Sequence, residues 1–213
     1  MYIPSDMKME SIEVAQEFID EFSFGVIISE SLEGTHLPFI LHKGEGKFGT
    51  LYGHCAKANH QWNQIGGKDV LVIFSGPDAY ISPTWYATPP AAPTWNYAAV
   101  HVYGVGQILN ITQARKVLEQ TIKKHDPSLL VERNILTKEL FERLLPGIVG
   151  FKIIISRIEG KLKLGQQRTS EDQRGVVKGL QSVNSHKAQA LVDYMLREGV
   201  GTGNQRPPVE LGV

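Results

Sequence analysis

The 213 residues carry 22 Lys and Arg against 22 Asp and Glu, with 42% hydrophobic and 21% charged residues, which excludes a wholly disordered or fibrous chain. A single cysteine, Cys55, excludes an intramolecular disulfide and a thiolate-rich zinc site and fits a reducing compartment. No run approaches the roughly 18 apolar residues of a membrane span, and Met1-Tyr2-Ile3-Pro4-Ser5-Asp6 lacks the basic and apolar regions of a signal peptide, so a cytoplasmic protein is expected.

The predicted elements run as follows. Ser11 to Phe22 reads as a helix, with Ser11 as N-cap and Val14, Ala15, Phe18, Ile19 and Phe22 on one apolar stripe. Short strands are expected over 24–29, 37–41, 49–52, 70–74 and 79–82, separated by Gly, Pro, Asn or Asp. A short helix is expected around 56–62. A longer strand is expected over 97–109, with bends at Gly104 and Gly106. Thr112 caps a helix to Lys124 whose Ala114, Val117, Leu118, Thr121 and Ile122 face inward. A second runs from Thr137 to Leu145, and a buried strand from Phe151 to Ile158. Helices over 170–181 and 185–197 follow, packed through Val176, Val177, Leu180, Ala190, Leu191 and Met195, and a loose tail begins after Gly199. Many short strands at close spacing imply an antiparallel barrel or sandwich.

Three clusters gather polar and aromatic residues. They are Thr35 to Pro38, Gly49 to Trp62, and Gly76 through Tyr80, Ser82, Trp85, Trp95 and Asn96 to Tyr103; all three Trp lie in them. Such clustering suits a planar ligand, with rings for stacking and hydroxyls, amides and imidazoles for its edges. His54 and His60 lack the spacing of a helical metal pair, so no metal is expected. Gly104-Val105-Gly106 lacks the rest of a dinucleotide fingerprint, so a phosphate must be held by side chains. The stretch 80–103, the expected functional centre, contains no Lys or Arg. Lys57 and the run Lys161 to Arg168 are the basic candidates.

On these residues the chain closely resembles the PaiB family, described as FMN-binding negative transcriptional regulators. The resemblance rests on Met1 to Pro4, Thr35-His36-Leu37-Pro38, Gly53-His54 with Ala56 to Asn59 and Gln61-Trp62, Tyr80 to Pro83, Pro93 to Val102, and Ile158 to Leu164. It implies an α+β, mainly β fold: a split antiparallel β-barrel of the FMN-binding type, related to pyridoxamine-phosphate oxidase, with peripheral helices and a C-terminal helical pair. The barrel is expected over residues 1–165, a helical extension over 166–198 and a flexible tail over 199–213. It implies FMN as cofactor and a homodimer with the flavin at the subunit interface. Two departures stand out. Gly165-Gln166-Gln167-Arg168 replaces the family's Ser-Gln-Asn-Arg, and Lys57 stands where Arg is common.

The expected cofactor contacts are Lys57 and Arg168 at the phosphate with His54 and Ser82 beside it. Tyr80, Trp85 and Trp95 would cover the ring and Asn96 would bond its edge. Thr35 and His36 complete the set. No catalytic residue is assigned. The resemblance implies a negative transcriptional regulator of sporulation and degradative enzymes. The alternative is an FMN-dependent oxidoreductase, since a flavin brings its own redox chemistry. Direct DNA contact would fall to Arg174, Lys178, Lys187 and Arg197. Residues 1–149 hold net −4 and 150–198 net +4, but Asp172, Asp193 and Glu198 interrupt the basic helices, so the charge pattern does not support it.

Overall fold

The computed structural model describes residues 1–131 and 135–204. The chain divides into two compact units. One holds Glu10–Ser75 and Val100–Glu159, and the other Met1–Met9, Gly76–Ala99 and the chain from Gly160 on.

In the first unit Ser11 accepts a hydrogen bond from the Val14 N–H at 3.3 Å and starts α1 (Ile12–Glu21), which buries Ala15, Phe18 and Ile19 as expected. Four short strands follow: β1 (Phe24–Ile28), β2 (Gly34–Pro38), β3 (Ile40–His42) and β4 (Thr50–Ala56). Three long strands, β5 (Asp69–Ile81), β6 (Thr94–Ile108) and β7 (Ile148–Lys163), contribute residues to both units. The sheet order is β2-β1-β5-β6-β7-β4-β3, and the β1–β2, β1–β5, β3–β4 and β4–β7 pairs are antiparallel. A sheet of antiparallel strands with helices around it is the expected α+β, mainly β architecture.

Alternation explains the core. Ile27, Leu51, Val72, Phe74, Phe151 and Ile153 lie on one face and are fully buried. The Phe39 ring sits 5.6 Å from Phe74 and 6.3 Å from Phe151, edge-on to both. Each such side chain contributes about 1.5–3 kcal/mol by leaving water. Phe39 also explains one departure from expectation. The run 37–41 divides at Phe39 into β2 and β3, because its N–H turns to the Ser23 carbonyl (2.8 Å) while its ring enters the core.

Other departures have local causes. The runs 70–74 and 79–82 are one strand, for a proline breaks a ladder only where its missing N–H is needed. No α-helix forms over 56–62. Strand β4 runs to Ala56, and Asn59 caps a single 3-10 turn over His60–Gln64 by accepting from the Gln61 N–H at 3.0 Å. Helix α2 (Ile111–His125) begins at Asn110, not Thr112. Asn110 and Gln113 form a reciprocal capping box there. Thr137 caps α3 (Lys138–Leu144). Strand β7 continues well beyond Ile158 to Lys163.

In the second unit the Met9 N–H donates to the Gly160 carbonyl at 3.0 Å, and Lys8 bridges to Lys161. Helices α4 (Ser170–Ser182) and α5 (His186–Glu198) bury Val176, Leu180, Ala188, Leu191, Val192 and Met195. Ala190, expected inside, is exposed. The buried phase of α5 instead passes through Ala188 and Val192. Gly199, at φ 64°, closes α5. Of the expected tail, residues 199–204 are held to α4: the Gly203 N–H donates to Gln173 at 2.9 Å, and Arg174 donates to the Gly203 carbonyl at 3.1 Å. Residues 205–213 lie outside the described residues. No described helix is long and apolar enough to cross a membrane.

Candidate functional site

The unit built on β1–β4 carries Thr35, His36, His54 and Lys57. Thr35 stands opposite Ile27 in the β1–β2 register, and His36 opposite Val26. Successive strand residues face opposite ways, so Thr35 and His36 do not converge. The Thr35 hydroxyl accepts a hydrogen bond from the Asn59 amide at 3.0 Å. The exposed His36 ring stacks with Phe24 at 6.1 Å.

Lys57 follows the end of β4. Its N–H donates to the Gly147 carbonyl at 2.8 Å, and its carbonyl accepts from the Trp62 indole N–H at 3.1 Å. The backbone root is therefore fixed from both sides. Its side chain is exposed and makes no ion pair among the described residues. A cation fixed at its root and free at its tip suits an anionic ligand.

His54 lies opposite Gly150 in the β4–β7 register, so the two share a face. A Cβ at Gly150 would lie 2.7 Å from the Ala114 Cβ, so α2 packs closely on that strand position. The His54 Nδ1 is buried and has no hydrogen-bond partner among the described residues. Burial pushes this imidazole below its ordinary pKa and favours the neutral form. Cys55 points to the opposite, buried face, and burial pushes its thiol up, away from nucleophilic character.

The other unit carries Tyr80, Ser82, Trp85, Trp95, Asn96 and Arg168. Tyr80 and Trp95 meet edge-to-face at 6.2 Å, and each is about half exposed. The Trp95 indole N–H donates to Asp78 at 3.1 Å, and Asp78 pairs with Lys187. Ser82 accepts from the Thr84 N–H at 3.3 Å and shares a hydroxyl hydrogen bond with Thr84, starting the single turn Pro83–Trp85. The Trp85 ring lies against Gly179 of α4, and its carbonyl against Gly175, so closely that a Cβ at either glycine would collide. Asp172 accepts from the Ala87 and Thr88 N–H groups at 2.9 and 3.1 Å and secures the same loop. The Arg168 guanidinium lies 4.6 Å over the Tyr86 ring, with no carboxylate partner among the described residues. Asn96 is 3% exposed and makes no side-chain hydrogen bond among the described residues.

The structure thus joins Thr35 to the Lys57 loop and Tyr80 to Trp95. It gives Trp85 and Ser82 packing and capping partners of their own. Asn59, Gln61, Tyr86 and Asp172 hold these groups, a role the sequence did not assign to them. The open pocket of about 440 Å³ over Ile28, Leu71, Tyr103 and Arg157 contains none of the expected site residues. Among the described residues no cluster of three His, Cys, Asp or Glu could hold a metal.

A seven-stranded antiparallel sheet with helices around it is the frame of a split-barrel flavoprotein. Residues 1–157 match the family described as "Putative FMN-binding domain". The chain is 36% identical over 203 residues to the "Protease synthase and sporulation protein PAI 2" of Bacillus subtilis, covering 92% of this chain and 96% of that one. The chain belongs to this FMN-binding family, the PaiB family. Two solved structures share the fold. The flavocytochrome Anf3 from Azotobacter vinelandii superposes with a TM-score of 0.57 at 14% identity, covering 75% of this chain and 70% of that one. The FAD and heme binding protein from Mycobacterium smegmatis does so with a TM-score of 0.55 at 13% identity, covering 75% and 74%.

The family's cofactor is FMN, and the residues present fit its chemistry. In the unit built on β1–β4, the exposed Lys57 makes no ion pair and the buried His54 Nδ1 has no hydrogen-bond partner among the described residues, as suits a group that carries a phosphate. The Tyr80–Trp95 pair offers ring surface.

Proposed function

We propose that this protein binds FMN and acts as a negative regulator of transcription, of the type concerned with sporulation and degradative enzymes. The name and the 36% identity of the Bacillus subtilis relative support the regulatory part. One observation carries the binding part: Lys57 has a backbone fixed by Gly147 and Trp62 and an ammonium without an ion pair among the described residues.

In this reading Lys57 meets the FMN phosphate, with Thr35 and His54 as nearby hydrogen-bonding groups. Separately, Tyr80 and Trp95 offer a ring-binding surface in the other unit, where the buried Asn96 is the amide we assign to the ring edge. Arg168 remains a cation for phosphate, while Ser82, Trp85 and His36 act through the packing around them. The flavin supplies redox chemistry when bound; the protein's own groups bind and orient it. The barrel is assigned to residues 1–165, the helical extension to 166–198 and the tail to 199–213.

The reading includes a homodimer in the cytoplasm. The part-exposed apolar residues Val105, Ile108 and Ile154 support an interface, and the lone reduced Cys55 supports the compartment. Direct DNA binding has little support, because Lys187 pairs with Asp78, Arg174 with the Gly203 carbonyl and Arg197 with Glu198.

Titrating apo protein into FMN tests the proposal. Flavin fluorescence should be quenched at micromolar protein, and unquenched flavin would sink it. On the loaded protein, anaerobic NADH or NADPH separates the regulator from the oxidoreductase: a flavin that neither reduces supports binding without turnover.

A further inference from the structure

Gln61 is a polar side chain only 1% exposed, set in the turn that follows Lys57. Its amide donates to the Ile27 carbonyl at 3.2 Å and to the Glu33 carbonyl at 2.6 Å. Ile27 is the register partner of Thr35, and Glu33 lies just before β2. The Gln61 N–H is in turn bound to the Asn59 side-chain oxygen at 3.0 Å, while the Asn59 amide donates to the Thr35 hydroxyl at 3.0 Å. The same turn grips the hairpin again through Gln64, which accepts from Ser29 at 2.9 Å and donates to Glu33 at 3.2 Å.

These bonds form a closed circuit. It runs from the Thr35 hydroxyl through Asn59 to Gln61, and back through β1 and the start of β2 to Thr35. Lys57 belongs to the same loop, its carbonyl fixed by Trp62. A buried amide with both N–H groups on backbone carbonyls has little freedom, since a buried donor that gives up its acceptor has no water to replace it. The circuit therefore sets how the Thr35 hydroxyl stands relative to the root of Lys57.

We infer that Gln61 is a positioning residue for phosphate recognition: it touches no ligand, but fixes the Thr35 strand to the Lys57 loop so that the two read a phosphomonoester together. This rests on the reading that Lys57 meets the FMN phosphate. Its signature is selectivity. Loosening the circuit should weaken FMN, which carries the phosphate, and spare riboflavin, which carries the same ring without it. A merely structural role would weaken both alike.

The test is a fluorescence titration of the full chain with FMN and with riboflavin, for wild type, Gln61→Glu, Gln61→Ala and Lys57→Ala. Glu keeps the size of Gln and removes the donors. Both Gln61 variants should lose about tenfold in FMN affinity while riboflavin changes by less than about threefold. Equal losses for the two ligands, or no loss, would overturn the inference. Should neither Gln61 variant bind riboflavin, Asn59→Ala breaks the circuit at its other link and must show the same selective loss. Lys57→Ala separates the failures. If it leaves the FMN-to-riboflavin ratio unchanged, the phosphate reading falls. If it lowers the ratio while the circuit variants do not, only the role of Gln61 falls.

Discussion

Two loops of this protein use similar residues in opposite ways. In the loop after β4, side chains fix the backbone and leave a cation exposed: Trp62 and Asn59 bond the chain, and the Lys57 ammonium makes no ion pair among the described residues. In the loop after β5, and at Arg168 after β7, the polar and aromatic groups already have partners. Ser82 caps a turn, Trp85 fills the space over two helical glycines, and Arg168 lies on Tyr86. Residue type alone does not distinguish the two cases. What distinguishes them is whether the polar or aromatic group already has a partner in the folded chain.

This contrast can be broken by substitution. The largest expected effect is in the second loop. Gly179→Leu should drive a side chain into Trp85 and lower stability by about 1–3 kcal/mol, read from the denaturation midpoint, with riboflavin affinity held within about threefold. A stable Gly179→Leu protein that loses riboflavin would mean that Trp85 serves the ring. In the first loop, Lys57→Ala should cost FMN about tenfold to thirtyfold by titration, as expected of about 1.5–2 kcal/mol for a charge-assisted bond. Its midpoint should shift by less than about 0.5 kcal/mol.

A smaller effect is expected of Arg168→Ala. Removing the cation from Tyr86 should cost about 0.5–1 kcal/mol of stability and less FMN affinity than Lys57→Ala; the reverse ranking would move the phosphate to Arg168. The smallest effect is a pH dependence. Burial holds the His54 imidazole below its ordinary value near 6.5. The unfolded chain therefore takes up a proton before the folded one, and the stability present above about pH 6.5 falls as pH drops below it. In thermal melts the advantage of wild type over His54→Gln should narrow on acidification. A gap that widens contradicts a neutral buried His54.

Much of the frame was legible in the sequence because it depends on local periodicity. The apolar stripe of α1 and the strand β1 appear where expected, and β6 covers most of the expected 97–109 but starts earlier, at Thr94. The long motifs of the family carried the cofactor, since they preserve chemistry over a distance no periodicity reports. Other features were not legible. Asn110 and Thr112 are both good N-caps, and only the reciprocal Gln113 bond selects Asn110. The segment 56–62 reads as a short helix, but β4 runs to Ala56 and only a 3-10 turn over His60–Gln64 forms, where the carbonyls of Ile27 and Glu33 bind Gln61. The packing of Trp85 was not legible either, because the glycines that receive it lie far along the chain, in α4. These are tertiary partners, invisible to spacing.

The central claim is that the FMN phosphate is held at Lys57. A crystal structure of the FMN-loaded protein tests it most directly. The account predicts a phosphate oxygen within hydrogen-bonding reach of the Lys57 Nζ, about 2.7–2.9 Å for a charge-assisted pair. Bound FMN with its phosphate on other residues, and Lys57 still turned to solvent, would contradict it.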